Sequence, residues 1–173
     1  MFAFSAQGRW EKPPLPAWHE NISKRQVKAP KVYISDSGLL HELLNLRAPE
    51  DLESHFKLGA SWEGFVIKEL IQRLNVKPEE CFFWATHAGA DLDLLIVRGR
   101  MKLGFEIKRT SAPGKTRSMY QAFKDLNLQR LDVIHSGDQT FMLSDSIRAL
   151  SFTRIFQDIP PLDYKRGEEK VGD

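Results

Sequence analysis

The residues of this sequence best suited to chemistry are four charged side chains at the two far ends of an otherwise apolar stretch, DLDLLIVRGRMKLGFEIKR (91–109). They are Asp91, Asp93, Glu106 and Lys108. Mg²⁺ and Mn²⁺ prefer carboxylate oxygens as ligands, and a nearby ammonium can orient an attacking water or offset charge on a phosphate. The pattern predicts metal-dependent phosphodiester hydrolysis, with Asp93 and Glu106 holding the cation and Lys108 assisting the water.

An antiparallel hairpin would bring these charges together. Two alternating runs flank the turn RGRM, and a loop of two or four residues pairs Val97 with Lys102. That register places Asp93 opposite Glu106, and like charges directly opposed destabilise a strand pair unless a cation lies between them. Two alternatives stay open: a three-residue bulged loop would shift the register, and the charges could form a solvated salt ladder of little energetic weight.

The same register places Asp91 opposite Lys108, and it predicts a core face for the hairpin because side chains alternate across a strand. The apolar residues expected on that face are Leu92, Leu94, Ile96, Leu103, Phe105 and Ile107. We expect the opposite face to carry the charged residues at one end only.

The elements around the hairpin predict the fold class. Ser61–Leu74 has apolar residues at helical spacing, with Ser61 as N-cap, Asn75 after the last turn, and Glu63 on the face that packs inward. Further strands are predicted at 81–87, 131–135, 141–143 and 149–152, and further helices from Asp36 or Ser37 to Leu44 and over 116–129. This order predicts a mixed β-sheet flanked by helices, in an α/β or α+β fold.

Length and composition indicate one main globular domain. The 173 residues are 42% hydrophobic and 28% charged, and the net charge of +2 does not by itself indicate a polyanionic partner. The single cysteine, Cys81, excludes an internal disulfide, and no apolar run is long enough for a signal peptide or a membrane span. We therefore expect a cytoplasmic protein.

Changes of composition along the chain predict its domain boundaries. The ends, 1–17 and 159–173, are rich in proline or in charge and glycine, and we expect them to be poorly ordered. Residues 18–58 read as a linker with a helical lead-in, and residues 59–158 as the folded domain.

The segments SWEGFVIKEL, GADLDLL and FEIKR resemble, in this order, the motifs of the PD-(D/E)xK nuclease-like superfamily. From LPAWHENISKRQVKAPKVYISDSGLL to the strand after Arg130, the chain more closely resembles the C-terminal domain of prokaryotic AAA-type ATPases. The resemblance implies a restriction-endonuclease-like core. It also implies that Glu63 is the helix acid, which would serve as an outer acid or as a ligand of a second metal ion. Asp93 would be the metal-binding acid, and Glu106 with Lys108 the ExK pair.

The same resemblance implies a function and partners. We expect a nuclease-like domain that binds DNA, uses Mg²⁺ or Mn²⁺, and is normally attached to an AAA-type ATPase domain. Because this sequence lacks that domain, we expect a truncated or standalone form. The alternative is a non-catalytic module that docks an ATPase or DNA, because nuclease-like folds serve both purposes.

Basic residues on both sides of the predicted site are candidate nucleic-acid contacts. They are Lys24, Arg25, Lys28, Arg109, Lys115 and Arg117. Lys31 extends the first cluster and lies close in sequence to Trp18 and Tyr33, which could stack on bases. The alternative, a solvated charged face, stays open.

Three other motifs fail on spacing. GKT in SAPGKTRS lacks the first P-loop glycine, because Arg109 stands five residues before Gly114. GASWEG lacks the spacing of a nucleophile elbow, and the five histidines have no HExxH or CxxC pattern. We therefore expect no ATP binding by this chain itself, no serine hydrolase and no zinc site.

Overall fold

In the computed structural model, residues 14–20, 26–27, 29–33, 38, 42 and 58–162 are described. They form a six-stranded mixed sheet flanked by three helices. This confirms the predicted fold class, a mixed β-sheet covered by helices. Within these residues, no helix is both long and apolar enough to cross a membrane.

Along the chain, three helices are separated by two groups of three strands. The helices are α1 (Leu58–Leu74), α2 (Arg117–Asp125) and α3 (Ile155–Asp158). The strands are β1 (Cys81–Ala85), β2 (Asp91–Arg98), β3 (Met101–Lys108), β4 (Arg130–His135), β5 (Phe141–Ser144) and β6 (Ile147–Ser151). Their order in the sheet is β1-β2-β3-β4-β6-β5, with β3, β4 and β6 parallel and the other neighbours antiparallel.

Helix α1 begins earlier than the sequence predicts and ends where expected. It starts at Leu58, so Ser61 lies inside the helix and the prediction of Ser61 as N-cap is wrong. It ends at Leu74 because Asn75 adopts a left-handed backbone with a φ of 52°. Asparagine tolerates that conformation better than most residues and often ends helices.

Helix α2 is shorter than the predicted span of 116–129. The hydroxyl of Thr116 caps its start by accepting the N–H of Met119 at 3.2 Å. The helix ends at Asp125, and Asn127 has a φ of 52°. That left-handed residue redirects the chain into β4.

The hairpin of β2 and β3 has the predicted two-residue loop. Gly99 has a φ of 59°, as a tight turn requires, and Val97 pairs with Lys102. Strand β2 is irregular along the edge that pairs with β1. There Phe82 of β1 pairs with Leu95, but Trp84 pairs with Leu92. One extra residue of β2 is therefore accommodated between these pairs, as in a β-bulge.

Both faces of the sheet are buried, one under α1 and one under α2. The α1 side contains Leu94, Ile96, Leu103, Phe105 and Ile107, packed with Val66, Ile67 and Leu70 of the helix. Leu92 lies instead in the α2-side cluster with Leu95 and Met119. The predicted core face is therefore wrong for Leu92, because the bulge reverses the alternation at that point.

Residues before α1 cover the outer edge of β1. Leu15 and Lys31 exchange two backbone hydrogen bonds, of 2.9 and 3.0 Å, and Ala17 forms a bridge to Phe83. Of the helix predicted from Asp36 or Ser37 to Leu44, only residues 38 and 42 are described, both helical, and the remainder lies outside the described residues. The predicted poorly ordered ends also fall mostly outside them.

Candidate functional site

The predicted site lies at the end of the sheet where β2 begins and β3 ends. The antiparallel hairpin brings Asp93 and Glu106 to this end, and α1 carries Glu63 over the same side. The structure joins the predicted residues in two groups. Lys31 links Glu63 with Asp93, and Glu106 pairs with Lys108.

Asp93 lies at the bulge of β2 and is 6% exposed. Its side chain, and not its backbone, forms the hydrogen bond to β3 at this point. Its Oδ2 accepts the N–H of Ile107 at 2.9 Å, and its Oδ1 lies 3.2 Å from Lys31 Nζ. Paired positions of β2 and β3 end at Leu94 and Phe105. The predicted backbone opposition of Asp93 and Glu106 is therefore not formed, because the Asp93 side chain binds the partner strand in its place.

Burial raises the pKa of Asp93 above its ordinary value, and the negative charge of Glu63 adds to the rise. Lys31 and the N–H of Ile107 act in the opposite direction without cancelling it. The negative charge of Asp93 is therefore only partly compensated, and a further positive charge nearby would stabilise it.

Glu106 is 3% exposed and only partly satisfied. Its Oε1 lies 2.6 Å from Lys108 Nζ, whereas its Oε2 is buried and has no hydrogen-bond partner in the part of the chain that the structure describes. Burial, together with the charge of Asp93, raises the pKa of Glu106 to about 7. An orphaned buried carboxylate oxygen beside a second acid is the kind of position that a cation would stabilise.

Lys108 is the more accessible member of its pair, with a side chain that is 42% exposed. Burial opposes its charge, but the hydrogen bond and charge of Glu106 outweigh this and raise the pKa of Lys108. The predicted pairing with Asp91 is replaced by this contact to Glu106. The exposed carboxylate of Asp91 instead accepts the hydroxyl of Ser118 at 3.1 Å.

The segment before α1 contributes two residues that the sequence did not assign to the site. Lys31 Nζ lies 3.1 Å from Glu63 Oε1, and the hydroxyl of Tyr33 donates to the same oxygen. The Tyr33 ring passes so close to α1 that a Cβ on Gly64 would lie 3.1 Å from its Cδ1. Because Lys31 precedes Asp93 by 62 positions, no local spacing could have indicated this contact.

His135 is a further buried polar residue at this end of the sheet, beside Lys108 across β3 and β4. Its Nδ1 accepts the N–H of Gly137 at 3.1 Å, and its Nε2 has no partner in the described part of the chain. The five histidines of the sequence have no HExxH or CxxC pattern. His135 was missed because a single strand histidine carries no motif.

The candidate nucleic-acid contacts divide into two groups. Arg109, Lys115 and Arg117 are exposed on the connection from β3 into α2. Lys24, Arg25 and Lys28 lie outside the described residues. Exposed cations therefore follow directly on the strand that carries Glu106 and Lys108.

Among the described residues, no group of three or more His, Cys, Asp or Glu side chains is arranged to hold a metal ion. The predicted pair consists of two acids, so water would have to complete its coordination. One structural observation indicates that these acids fit a hard divalent cation: the Oε2 of Glu106 is buried and has no partner among the residues that are described.

Comparison with known proteins gives a family-level match. Residues 58–155 match a family described as "Domain of unknown function (DUF4143)", and residues 13–50 match "Domain of unknown function (DUF8612)". Uncharacterised proteins of Mycobacterium tuberculosis (Rv2008c) and Mycobacterium bovis (Mb2031c) are each 45% identical over 141 residues, or 82% of this chain. The chain spans only 32% of the length of each relative. No solved structure matches the chain significantly.

Proposed function

The chain belongs to the DUF4143 family, and we propose that it is a nuclease-like domain of the PD-(D/E)xK type. In this proposal it binds DNA and hydrolyses phosphodiester bonds with Mg²⁺ or Mn²⁺, in association with an AAA-type ATPase. The observation that carries the proposal is the buried Glu106, whose Oε2 has no partner among the described residues although Asp93 and Lys108 lie close enough to act on its charge.

The proposal assigns a role to each residue of the site. Asp93 and Glu106 would hold the cation, since carboxylate oxygens are the ligands that Mg²⁺ and Mn²⁺ take. When bound, the cation would polarise the phosphate and make water a better nucleophile. Glu63 would act as an outer acid, because the ammonium of Lys31 lies between its carboxylate and that of Asp93.

Lys108 would act on the substrate as an ammonium ion. Its side chain is accessible, and its Nζ is fixed 2.6 Å from Glu106 Oε1. From this position it would orient the attacking water by donating a hydrogen bond and would offset the charge that develops on the phosphate. The exposed cations Arg109, Lys115 and Arg117 would hold the DNA backbone beside the site.

Incubation with single-stranded, duplex and branched DNA in Mg²⁺ or Mn²⁺ tests the proposal. We expect cleavage that stops in EDTA, and losses of about 10²- to 10³-fold in Lys108→Met and Glu106→Gln. Glu79→Gln is the matched control because Glu79 is exposed and distant in sequence from the site. Cleavage that persists in Asp93→Ala or Lys108→Ala, or wild-type protein that neither cleaves DNA nor binds metal, would contradict the catalytic role.

One observation favours a second candidate function, a non-catalytic module that docks an ATPase or DNA. Asp93 and Glu106 are nearly inaccessible, and each has its own lysine, Lys31 or Lys108. Such pairs could be purely structural. DNA binding that needs no divalent cation and is unchanged in Glu106→Gln, without any cleavage, would favour this module over the nuclease.

A further inference from the structure

The ammonium of Lys31 lies between two carboxylates of the site. Its Nζ is 3.1 Å from Glu63 Oε1 and 3.2 Å from Asp93 Oδ1, so a single positive charge serves two negative ones. It also lies 5.5 Å from the centre of the Phe83 ring, which adds a cation–π contact. Lys31 thus occupies the place where a cation shared by these two acids would bind.

The position of this ammonium is fixed by the backbone. Lys31 exchanges two backbone hydrogen bonds with Leu15, and two residues later Tyr33 donates its hydroxyl to Glu63. The ring of Tyr33 packs on α1 at Gly64, where a side chain would crowd it. The segment 31–33 therefore packs across α1. It lies outside residues 58–155, which match the DUF4143 family.

A divalent cation could not share this position with Lys31. Mg²⁺ binds oxygen at about 2.0–2.1 Å, and an ammonium about 3 Å from both oxygens would be in direct contact with such an ion and repel it. On the other side of Asp93 no ammonium bridges to Glu106, whose Oε2 is unpartnered within the described structure.

We propose that Lys31 fills the cation position between Glu63 and Asp93, so that the site takes one divalent cation, at Asp93 and Glu106, instead of two. The inference rests on the proposed function and adds the metal stoichiometry of that site. Lys31 is a specificity-determining residue in this scheme, because its charge decides how many metal ions the three acids hold.

Equilibrium binding of Mn²⁺ to the full chain, followed by the electron paramagnetic resonance of the free ion, tests the inference without any activity assay. We expect one bound ion per wild-type chain and two in Lys31→Met, which leaves the carboxylates of Glu63 and Asp93 without their shared counter-charge. Lys31→Arg keeps a cation and should bind one ion. Lys31→Gln, which is neutral but still donates hydrogen bonds, should bind two and serves if Lys31→Met does not fold.

Lys102→Met is the matched control. Lys102 also forms an ion pair, with Glu20, and also lies over an aromatic ring, 5.4 Å from the centre of Trp18. This variant should bind one ion, as the wild type does. Two ions in the wild type, or one ion in both neutral Lys31 variants, would overturn the inference while leaving metal binding intact. If neither the wild type nor any variant binds Mn²⁺, the inference and the proposed metal site fail together.

Discussion

At the scale of single residues, the site consists of two buried acids that are compensated to different degrees. Asp93 accepts hydrogen bonds from Lys31 and from the N–H of Ile107, so both of its oxygens have partners. Within the described ranges, Glu106 pairs with Lys108 alone, and its second oxygen is buried without a partner. Burying a charge that is incompletely paired is costly, so Glu106 is the residue at which protonation should affect stability.

Glu106→Gln should change the pH dependence of the free energy of unfolding. Burial and the charge of Asp93 raise the folded-state pKa of Glu106 from 4.5 to about 7, so the folded protein binds more protons than the unfolded chain between these values. The stabilisation is fully present below the lower pKa and is lost as the pH rises through the upper one. The wild type should therefore lose about 3 kcal/mol relative to Glu106→Gln between about pH 4 and pH 8.

Urea unfolding in EDTA across this range measures the effect. Glu79→Gln is the control because it removes an exposed carboxylate and should follow the wild-type curve. Parallel curves for the wild type and Glu106→Gln would contradict the raised pKa.

At the scale of elements, the site depends on the contact between the turn after β4 and the connection that follows β3. The N–H of Ser136 donates to the carbonyl of Thr110 at 3.1 Å, and the N–H of Gly137 donates to His135. A Cβ on Gly137 would fall well inside contact distance of the Ser111 carbonyl oxygen. Only glycine therefore lets the two backbones approach this closely.

Gly137→Ala should destabilise the protein by about 1–3 kcal/mol, because the added methyl meets backbone that cannot move aside easily. Gly114→Ala is the control in the same region, since its Cβ would meet nothing within 4 Å. The midpoint of urea unfolding distinguishes the two variants. Equal stability of Gly137→Ala and the wild type would show that the two segments can separate without cost.

At the scale of the whole molecule, exposed cations lie near both ends of the hairpin formed by β2 and β3. Arg109, Lys115 and Arg117 follow the end of β3 that carries the site, whereas Arg100 lies in the turn at the opposite end of the hairpin. If DNA binds at the site, as proposed, cations at the two ends should contribute differently. The salt dependence of binding reports such contacts because each phosphate contact releases condensed counterions.

Arg117→Ala should weaken duplex DNA binding and reduce the slope of log K against log salt by about 1. Arg100→Ala removes an equally exposed arginine and should leave the slope unchanged. Fluorescence anisotropy at several salt concentrations measures both. Equal slopes in the two variants would place the DNA elsewhere on the molecule.

Features that depend on neighbouring residues could be predicted from the sequence. Alternation predicted β2 and β3, the turn residues predicted the pairing of Val97 with Lys102, and helical spacing predicted the helix that ends at Leu74. These elements follow from local periodicity and turn chemistry, which a short window of residues contains. The order of elements then sufficed for the fold class.

The contacts between the side chains of the site could not be predicted, because they join residues that are far apart in the chain. The bulge at Asp93 moves Leu92 to the other face and ends the ladder before Glu106, which a regular alternation cannot anticipate. Lys31 reaches Asp93 across 62 positions of chain and supplies part of the positive charge that this buried carboxylate requires. The physical reason is that two buried carboxylates require compensation, and the identity of the compensating cation depends on which distant segment packs beside them.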